Sequence, residues 1–166
     1  MPVRPIVRYP DPALKALAAP VTAFGAELQA LAADLLDTMR AAPGIGITAP
    51  HVGVPERLVV IELSPEDGVR HYVNPRIVEA SPERIRHAEG SVSLPGVTEE
   101  VERAARVRVV YRDLDGAERE EWAEGLLAVC LQHEIDQLDG IFWLQRLSRL
   151  KRERVLRRFD KARAPG

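Results

Sequence analysis

Cysteine is nearly absent from this sequence, in which Cys130 is the one thiol among 166 residues. A single cysteine cannot form an internal disulfide, so the chain fits a reducing compartment, and we expect it in the cytoplasm. Long apolar runs are also lacking, as is the pattern of a signal peptide, which predicts no membrane segment. The net charge of -2 excludes a general electrostatic attraction to nucleic acid or membranes.

The composition that remains is ordinary for a globular protein, with 46% hydrophobic and 29% charged residues. A chain of this length is able to bury a core of its own, and no repeat or low-complexity linker divides it. We therefore expect a single domain over residues 1–166.

Helical periodicity marks three segments. Residues 26–41 have an apolar stripe, which predicts an amphipathic helix that packs on the body of the domain. Residues 124–138 are apolar on most of the helix circumference, which predicts a buried helix. Residues 146–163 predict a further amphipathic helix, whose expected apolar side consists of Leu147, Leu150, Leu156 and Phe159.

Between the first two helices, β-branched content and partial alternation are typical of strands. The strand candidates are residues 57–63, 71–78, 106–112 and 118–123. Asp113–Gly116 is a hairpin turn signal between the last two of them. The proline-rich residues 1–25 predict an extended arm with at most one short helical turn. This order of elements predicts an α+β fold.

The buried helix contains the strongest chemical signal, His133 followed by Glu134. Burying such polar groups without partners costs a few kcal/mol, roughly, so they need partners or a function. In a zinc-type HExxH motif, a second His lies four residues after the first on the same helix face. Here that position is Gln137, so the helix alone favours a hydrogen-bonded histidine of the core.

Three ordered segments resemble the motifs of a known family. They are GIGITAPHVG at 44–53, EGSVSLPG at 89–96 and QHEIDQLDG at 132–140. The peptide deformylase family has the approximate patterns GxGxAAxQxG, EGCLS and QHExDHLxG in this order. YPDPALKALAAPV at 9–21 and VNPRIV at 73–78 also resemble that family, so the likeness covers roughly residues 4–160.

The resemblance implies a fold, a reaction and a cofactor. Family members have antiparallel sheets around a buried central helix, here the one carrying HEIDQ, and a C-terminal helix. They hydrolyse a linear amide, the N-formyl group on the initiator methionine of nascent peptides. They use Fe²⁺ or Zn²⁺, held by the Cys of EGCLS and both His of the helix. The expected partner is therefore an extended peptide N-terminus bound along a strand edge.

Carried over by position, the family's site residues are only partly retained. His133 matches the first His ligand, and Glu134 matches the catalytic acid and base. The Cys ligand is replaced by Ser91, and the second His ligand is replaced by Gln137. His51 stands where a glutamine holds the formyl oxygen, which makes it a candidate catalytic residue.

The resemblance also implies a substrate-binding set. Its members lie in or just after the first two motifs: Gly46, the main-chain N–H of Val92, and Arg103. Cys130, three residues before the His-Glu pair, is expected to pack in the core rather than to bind metal.

The two ligand replacements weaken a metal site severely. A thiolate is a charged zinc ligand, whereas a serine hydroxyl is neutral near pH 7, and an amide offers only a weak carbonyl oxygen. Zinc binding at a structural site is worth on the order of 10 kcal/mol or more, most of which these changes remove. We therefore expect Fe²⁺ or Zn²⁺ to be weakly bound or absent, and deformylase activity to be weak or lost.

Alternative hypotheses remain open from sequence. His51 and His133, with Ser91, Glu134 or water, could form a metal site of altered ligation in an active hydrolase. In a metal-free acyl hydrolase, Ser91 and His133 would form a nucleophile–base pair and the N–H of Val92 would bind the oxyanion, although Glu134 is the one evident orienting carboxylate. Neutral drift without function at this pocket is the remaining alternative.

The C-terminal segment 146–163 is strongly basic, with nine Lys or Arg against two acidic residues. In the family, a C-terminal helix can dock on the ribosome, and phosphate neutralisation by this segment would serve that purpose. A solvated helix face with charges for solubility explains the same pattern, and we favour that interpretation.

Overall fold

The computed structural model describes residues 3–163. Its regular elements are the helices α1 (Ala26–Ala41), α2 (Gly125–Leu138) and α3 (Arg149–Arg163) and seven strands. The strands are β1 (Gly46–Thr48), β2 (Leu58–Ile61), β3 (Arg70–Ala80), β4 (Arg84–Ser91), β5 (Leu94–Ala104), β6 (Arg106–Arg112) and β7 (Glu118–Glu124). Short 3-10 helices occupy Pro12–Lys15, Ala49–Val52 and Trp143–Arg146.

All strand pairs named here are antiparallel. Five strands form one sheet in the order β1-β2-β3-β6-β7, and β4 and β5 form a separate two-stranded hairpin. The predicted turn at Asp113–Gly116 joins β6 to β7, with Gly116 in the left-handed conformation at φ 88°. The prediction of an α+β fold with antiparallel sheets is confirmed.

Helix α2 lies at the centre because it is apolar around most of its surface. Leu131 and Leu138 are fully buried in one cluster with Val59 and Val107 of the five-stranded sheet. On the other side of the sheet's β1–β2 end, Leu35 of α1 packs in a second cluster. Burying a Leu side chain stabilises the fold by about 1.5–3 kcal/mol, so these helices are held by packing.

Helix α3 begins later than predicted, which corrects the expected apolar side. Ser148 accepts a hydrogen bond from the main-chain N–H of Lys151 (3.3 Å) and so caps a helix that starts at Arg149. Leu150 is then 79% exposed, whereas Val155 and Phe159 are buried. Leu147 is buried as predicted, but it precedes the helix.

The N-terminal arm is extended with one short 3-10 helix, as predicted. Its residues pair with distant parts of the chain: Val7 donates its N–H to the carbonyl of His51, and Tyr9 to that of Ser93. The arm thereby reaches both the first and the second motif. No helix within residues 3–163 has the length and apolar composition that crossing a bilayer requires.

Candidate active site

A cavity of about 480 Å³ lies where α2 meets β1 and the β4–β5 hairpin. Residues 44–46 at the start of β1 line it, as do residues 87–91 at the end of β4. Most of its side chains are apolar, such as Ile45, Val92 and Leu126. A mainly apolar cavity with a few polar groups is typical of a binding site for a small molecule or a chain end.

Helix α2 presents His133 and Glu134 to this cavity, and both are buried. The Nδ1 atom of His133 lies 2.8 Å from Oε1 of Glu89 on β4. An ionised carboxylate only accepts hydrogen bonds, so Nδ1 carries the proton and donates. Burial lowers the pKa of His133, but the charges of Glu134 and Glu89 outweigh it and leave the pKa raised.

Glu89 is itself held by Arg103, whose Nε and Nη2 donate to its two oxygens at 2.8 Å each. Burial opposes ionisation of Glu89, but these bonds and the one from His133 lower its pKa to about 2. Arg103 also donates to Asp136 (2.7 Å), which accepts two bonds from Arg146. The imidazole of His133 is thus fixed by a paired, buried ion network.

Glu134 differs from Glu89 because its Oε1 atom is buried without a hydrogen-bond partner. Burial raises the pKa of this carboxyl group. The other oxygen, Oε2, would lie 2.6 Å from a Cβ atom added at Gly46. Any side chain at position 46 would therefore displace Glu134, which explains in steric terms why glycine stands there.

His51 is 1% exposed and lines the same cavity. Its Nδ1 atom accepts the main-chain N–H of Thr48 at 2.9 Å, in a capping box at the start of the 3-10 helix Ala49–Val52. A main-chain N–H can only donate, so Nδ1 is unprotonated and Nε2 carries the proton. Burial and the nearby His133 lower the pKa of His51 to about 3, so the ring is neutral.

The Nε2–H of His51 is buried without a hydrogen-bond partner. Leaving a buried donor unpaired costs about 1–3 kcal/mol. His51 Nε2 and Glu134 Oε1 are therefore a donor and an acceptor at one cavity, both able to gain a hydrogen bond from a ligand.

The two substituted ligand positions are used in other ways. Ser91 lines the cavity, and its hydroxyl oxygen accepts the main-chain N–H of Ser93 at 3.0 Å. Gln137 is buried, donates its amide Nε2 to the carbonyl of Leu14 at 2.7 Å and is not among the residues that line the cavity. Between residues 3 and 163, no three His, Cys, Asp or Glu side chains are grouped to hold a metal ion.

These observations test whether the residues fit the ion that the resemblance implies. With the neutral Ser91 at one ligand position and Gln137 outside the cavity lining, His133 is the one family ligand that is retained at its own position. Cys130 also lines the cavity, but burial raises the pKa of its thiol to about 12, so it is not a ready thiolate ligand. The donor set does not fit Fe²⁺ or Zn²⁺.

The structure gathers most of the sequence-predicted residues at the cavity: His51, Gly46, Ser91, Val92, His133 and Glu134. Arg103 does not line it and donates to Glu89 instead, so its contact with a substrate stays a prediction. Sequence analysis missed the roles of Glu89 and Thr48. Glu89 opens the EGSVSLPG segment, which was the available signal.

The fold and the cavity together define a class: an α+β protein in which a buried helix presents a His-Glu pair to a cavity beside an edge strand. The comparisons make this specific. The family model for polypeptide deformylase matches residues 3–153, and the chain belongs to the peptide deformylase family. Peptide deformylases are in general metal-dependent enzymes that act on the N-termini of nascent peptides.

Similar proteins fall into two groups. A "peptide deformylase-like" protein of Bradyrhizobium diazoefficiens is 68% identical over 97% of this chain and 95% of its own length. Rhizobium meliloti has a deformylase-like protein that is 62% identical (97% and 94% covered) and a peptide deformylase that is 44% identical (98% and 95%). The crystal structure of a peptide deformylase from Legionella pneumophila superimposes with a TM-score of 0.91 at 41% identity, covering 98% of this chain and 99% of its own.

Proposed function

We propose that the chain binds the N-terminal end of an extended peptide in this cavity and that its metal-dependent deformylase activity is weak or lost. The observation that carries the proposal is Gln137, which stands at the sequence position of the family's second His ligand and donates its side-chain amide to the carbonyl of Leu14.

The hydrogen bond of Gln137 explains how a metal site can be lost while the fold is kept. A metal-binding His usually donates its outer ring N–H to a carbonyl or carboxylate. The amide of Gln137 supplies such a donor to Leu14, which ties the N-terminal arm to α2. It cannot also supply the second ring nitrogen that would bind metal. The replacement therefore keeps the hydrogen bond to Leu14 and loses the ring nitrogen that would bind the metal.

Peptide binding is supported by the walls of the cavity. Strand β1 is at the end of the five-stranded sheet, and β4 pairs only with β5 in the described chain. Edge strands offer main-chain groups to an added strand, while the apolar cavity between them can take a side chain. The donor at His51 and the acceptor at Glu134 add polar contacts for the chain end.

The alternative of a metal site that uses His51 is less well supported. The Nδ1 atom of His51 accepts the main-chain N–H of Thr48, so the ring proton is on Nε2. Metal binding at Nε2 would require the opposite tautomer, which places an N–H of the ring against the N–H of Thr48. That conflict favours His51 as a hydrogen-bond donor.

The relatives point in the same direction. In Rhizobium meliloti, a deformylase-like protein exists beside a peptide deformylase, and this chain is more similar to the former. We infer that this group has a role that a peptide deformylase in the same cell does not fill.

Ribosome docking stays a prediction. In α3, Arg154 and Arg158 are paired with Glu99, and Arg149 with Glu153, so part of the positive charge is neutralised. These contacts favour the solvated-face interpretation.

A paired measurement tests the proposed function. Calorimetry with the peptide N-formyl-Met-Ala-Ser is expected to show binding, and formate release is expected to be more than about 100-fold slower than by the Rhizobium meliloti peptide deformylase. Absence of binding, or turnover at the rate of that enzyme, would contradict the proposal.

A further inference from the structure

We propose that the cavity is arranged for metal-independent acyl transfer, with Ser91 as nucleophile, His133 as base, Glu89 as its positioning carboxylate and His51 as oxyanion donor. The inference rests on the cavity of the proposed function, although it requires only an acyl group there and not a peptide. It goes beyond binding because it assigns covalent chemistry to residues that no longer suit a metal.

Glu89 supplies what a nucleophile–base pair requires. Its bond to Nδ1 of His133 (2.8 Å) fixes the tautomer in which Nε2 is the free basic nitrogen. Two bonds from Arg103 hold the carboxylate in place. A base oriented by a third group is the signature of an activated serine.

Ser91 is placed to be the nucleophile. It ends β4 and lines the cavity together with His133. Its oxygen accepts the N–H of Ser93, and a hydroxyl that accepts a hydrogen bond is still able to donate its proton. Ser91 and His133 are not hydrogen-bonded to each other within the described chain, and the reaction requires that this bond forms in the complex with the acyl donor.

His51 completes the arrangement as an oxyanion donor. Its Nε2–H is buried, its tautomer is fixed by Thr48, and it has no partner in the protein. A buried, pre-oriented donor stabilises negative charge that develops on a carbonyl oxygen. The main-chain N–H of Val92 directly follows the nucleophile and is the second candidate donor.

The reaction balances without any further reactant than water. The Ser91 oxygen attacks the acyl carbon while its proton passes to Nε2 of His133. The bond to the leaving amine or alcohol then breaks, and His133 returns the proton to that group, leaving an acyl ester on Ser91. Water, deprotonated by His133, then attacks the acyl carbon of the ester. The bond to the Ser91 oxygen breaks, His133 returns the proton to that oxygen, and the carboxylic acid is released.

The test uses p-nitrophenyl acetate as acyl donor and excess EDTA to remove metal. We expect a burst of nitrophenol of about one per chain and an acetyl group on Ser91 by mass spectrometry. Ser91→Ala is expected to abolish both. An unacetylated Ser91, or the same burst from a folded Ser91→Ala variant, would overturn the proposal.

Two variants test the supporting roles. His51→Gln keeps an N–H donor and is expected to retain most of the acylation rate, whereas His51→Leu is expected to lose about 100-fold or more. Equal rates in these two variants would overturn the oxyanion role. Glu89→Gln is expected to lower the rate together with the fraction of Nδ1–H tautomer in the ¹⁵N spectrum of His133. A lower rate with an unchanged tautomer would refute the positioning role.

Failure of this inference and failure of the proposed function give different results. If the formyl peptide does not bind but Ser91 is acetylated, peptide binding is wrong and acyl transfer stands. If the peptide binds but Ser91 is not acetylated, acyl transfer is wrong and peptide binding stands.

Discussion

The buried, neutral His51 predicts that the protein loses stability in mild acid. Its pKa is about 3 in the folded protein, against 6.5 ordinarily. From pH 6.5 downward, the unfolded chain takes up a proton on this ring and the folded protein does not. The unfolded state therefore binds more protons, and the stability due to this group rises with pH and falls as the pH drops from 6.5 towards 3.

The magnitude follows from the linkage relation, in which one pKa unit corresponds to about 1.4 kcal/mol. Because half of the unfolded rings are already protonated at pH 6.5, His51 should remove about 2 kcal/mol of unfolding free energy between pH 6.5 and 4.5. The variant His51→Gln lacks this group but shares the other titrating residues. We therefore expect the unfolding free energy of the wild type to fall by about 2 kcal/mol more than that of the variant over that range.

Urea unfolding at several pH values between 7 and 4.5 measures this difference. His87 is an exposed histidine at the same cavity, so His87→Gln is the matched control for the same substitution outside the core. Parallel stability curves for wild type and His51→Gln would refute both the burial and the neutral tautomer of His51.

Two further substitutions test other parts of the site. Arg103→Met leaves Glu89 buried without its main partner and should destabilise the protein by about 3–5 kcal/mol, measured by urea unfolding; a change below about 1 kcal/mol would contradict the buried ion network. Gly140→Ala should cost more than about 2 kcal/mol, because φ is 77° and the new Cβ would lie 2.4 Å from the carbonyl oxygen of Lys15. Gly25→Ala, with open space around its Cβ, is the control and should change stability by less than about 1 kcal/mol; equal effects of the two glycine changes would contradict the close approach at Lys15.

Elements with strong periodicity were predictable from sequence alone. The predicted helix at 26–41 and strand at 106–112 have those bounds in the structure, and the buried helix begins at residue 125 instead of 124. In each of these elements, the spacing of the apolar residues is set by the surface that the element buries, so the sequence pattern predicts the element.

Other elements depended on interactions that a pattern does not contain. The strand β4 was not predicted, because it is mostly exposed and within residues 3–163 it pairs only with β5. The start of α3 depended on the cap at Ser148, which outweighed the apolar spacing that had included Leu150.

The candidate site shows the same division. Family motifs located His51, Ser91, His133 and Glu134, and the structure brings these four to one cavity. The tautomer of His51 follows from the main-chain N–H of Thr48, and the orientation of His133 follows from the carboxylate of Glu89. Only the folded chain brings these partners together.

Metal analysis of the purified protein tests the central claim, that the family's ion site has been lost through positions 91 and 137. The wild type is expected to hold far less than one Fe or Zn per chain. The double variant Ser91→Cys with Gln137→His restores a thiolate and an imidazole, and its ring N–H can replace the amide donor to Leu14, so it should hold about one ion per chain. One tightly bound ion per wild-type chain, or no gain of metal in the folded double variant, would contradict the account.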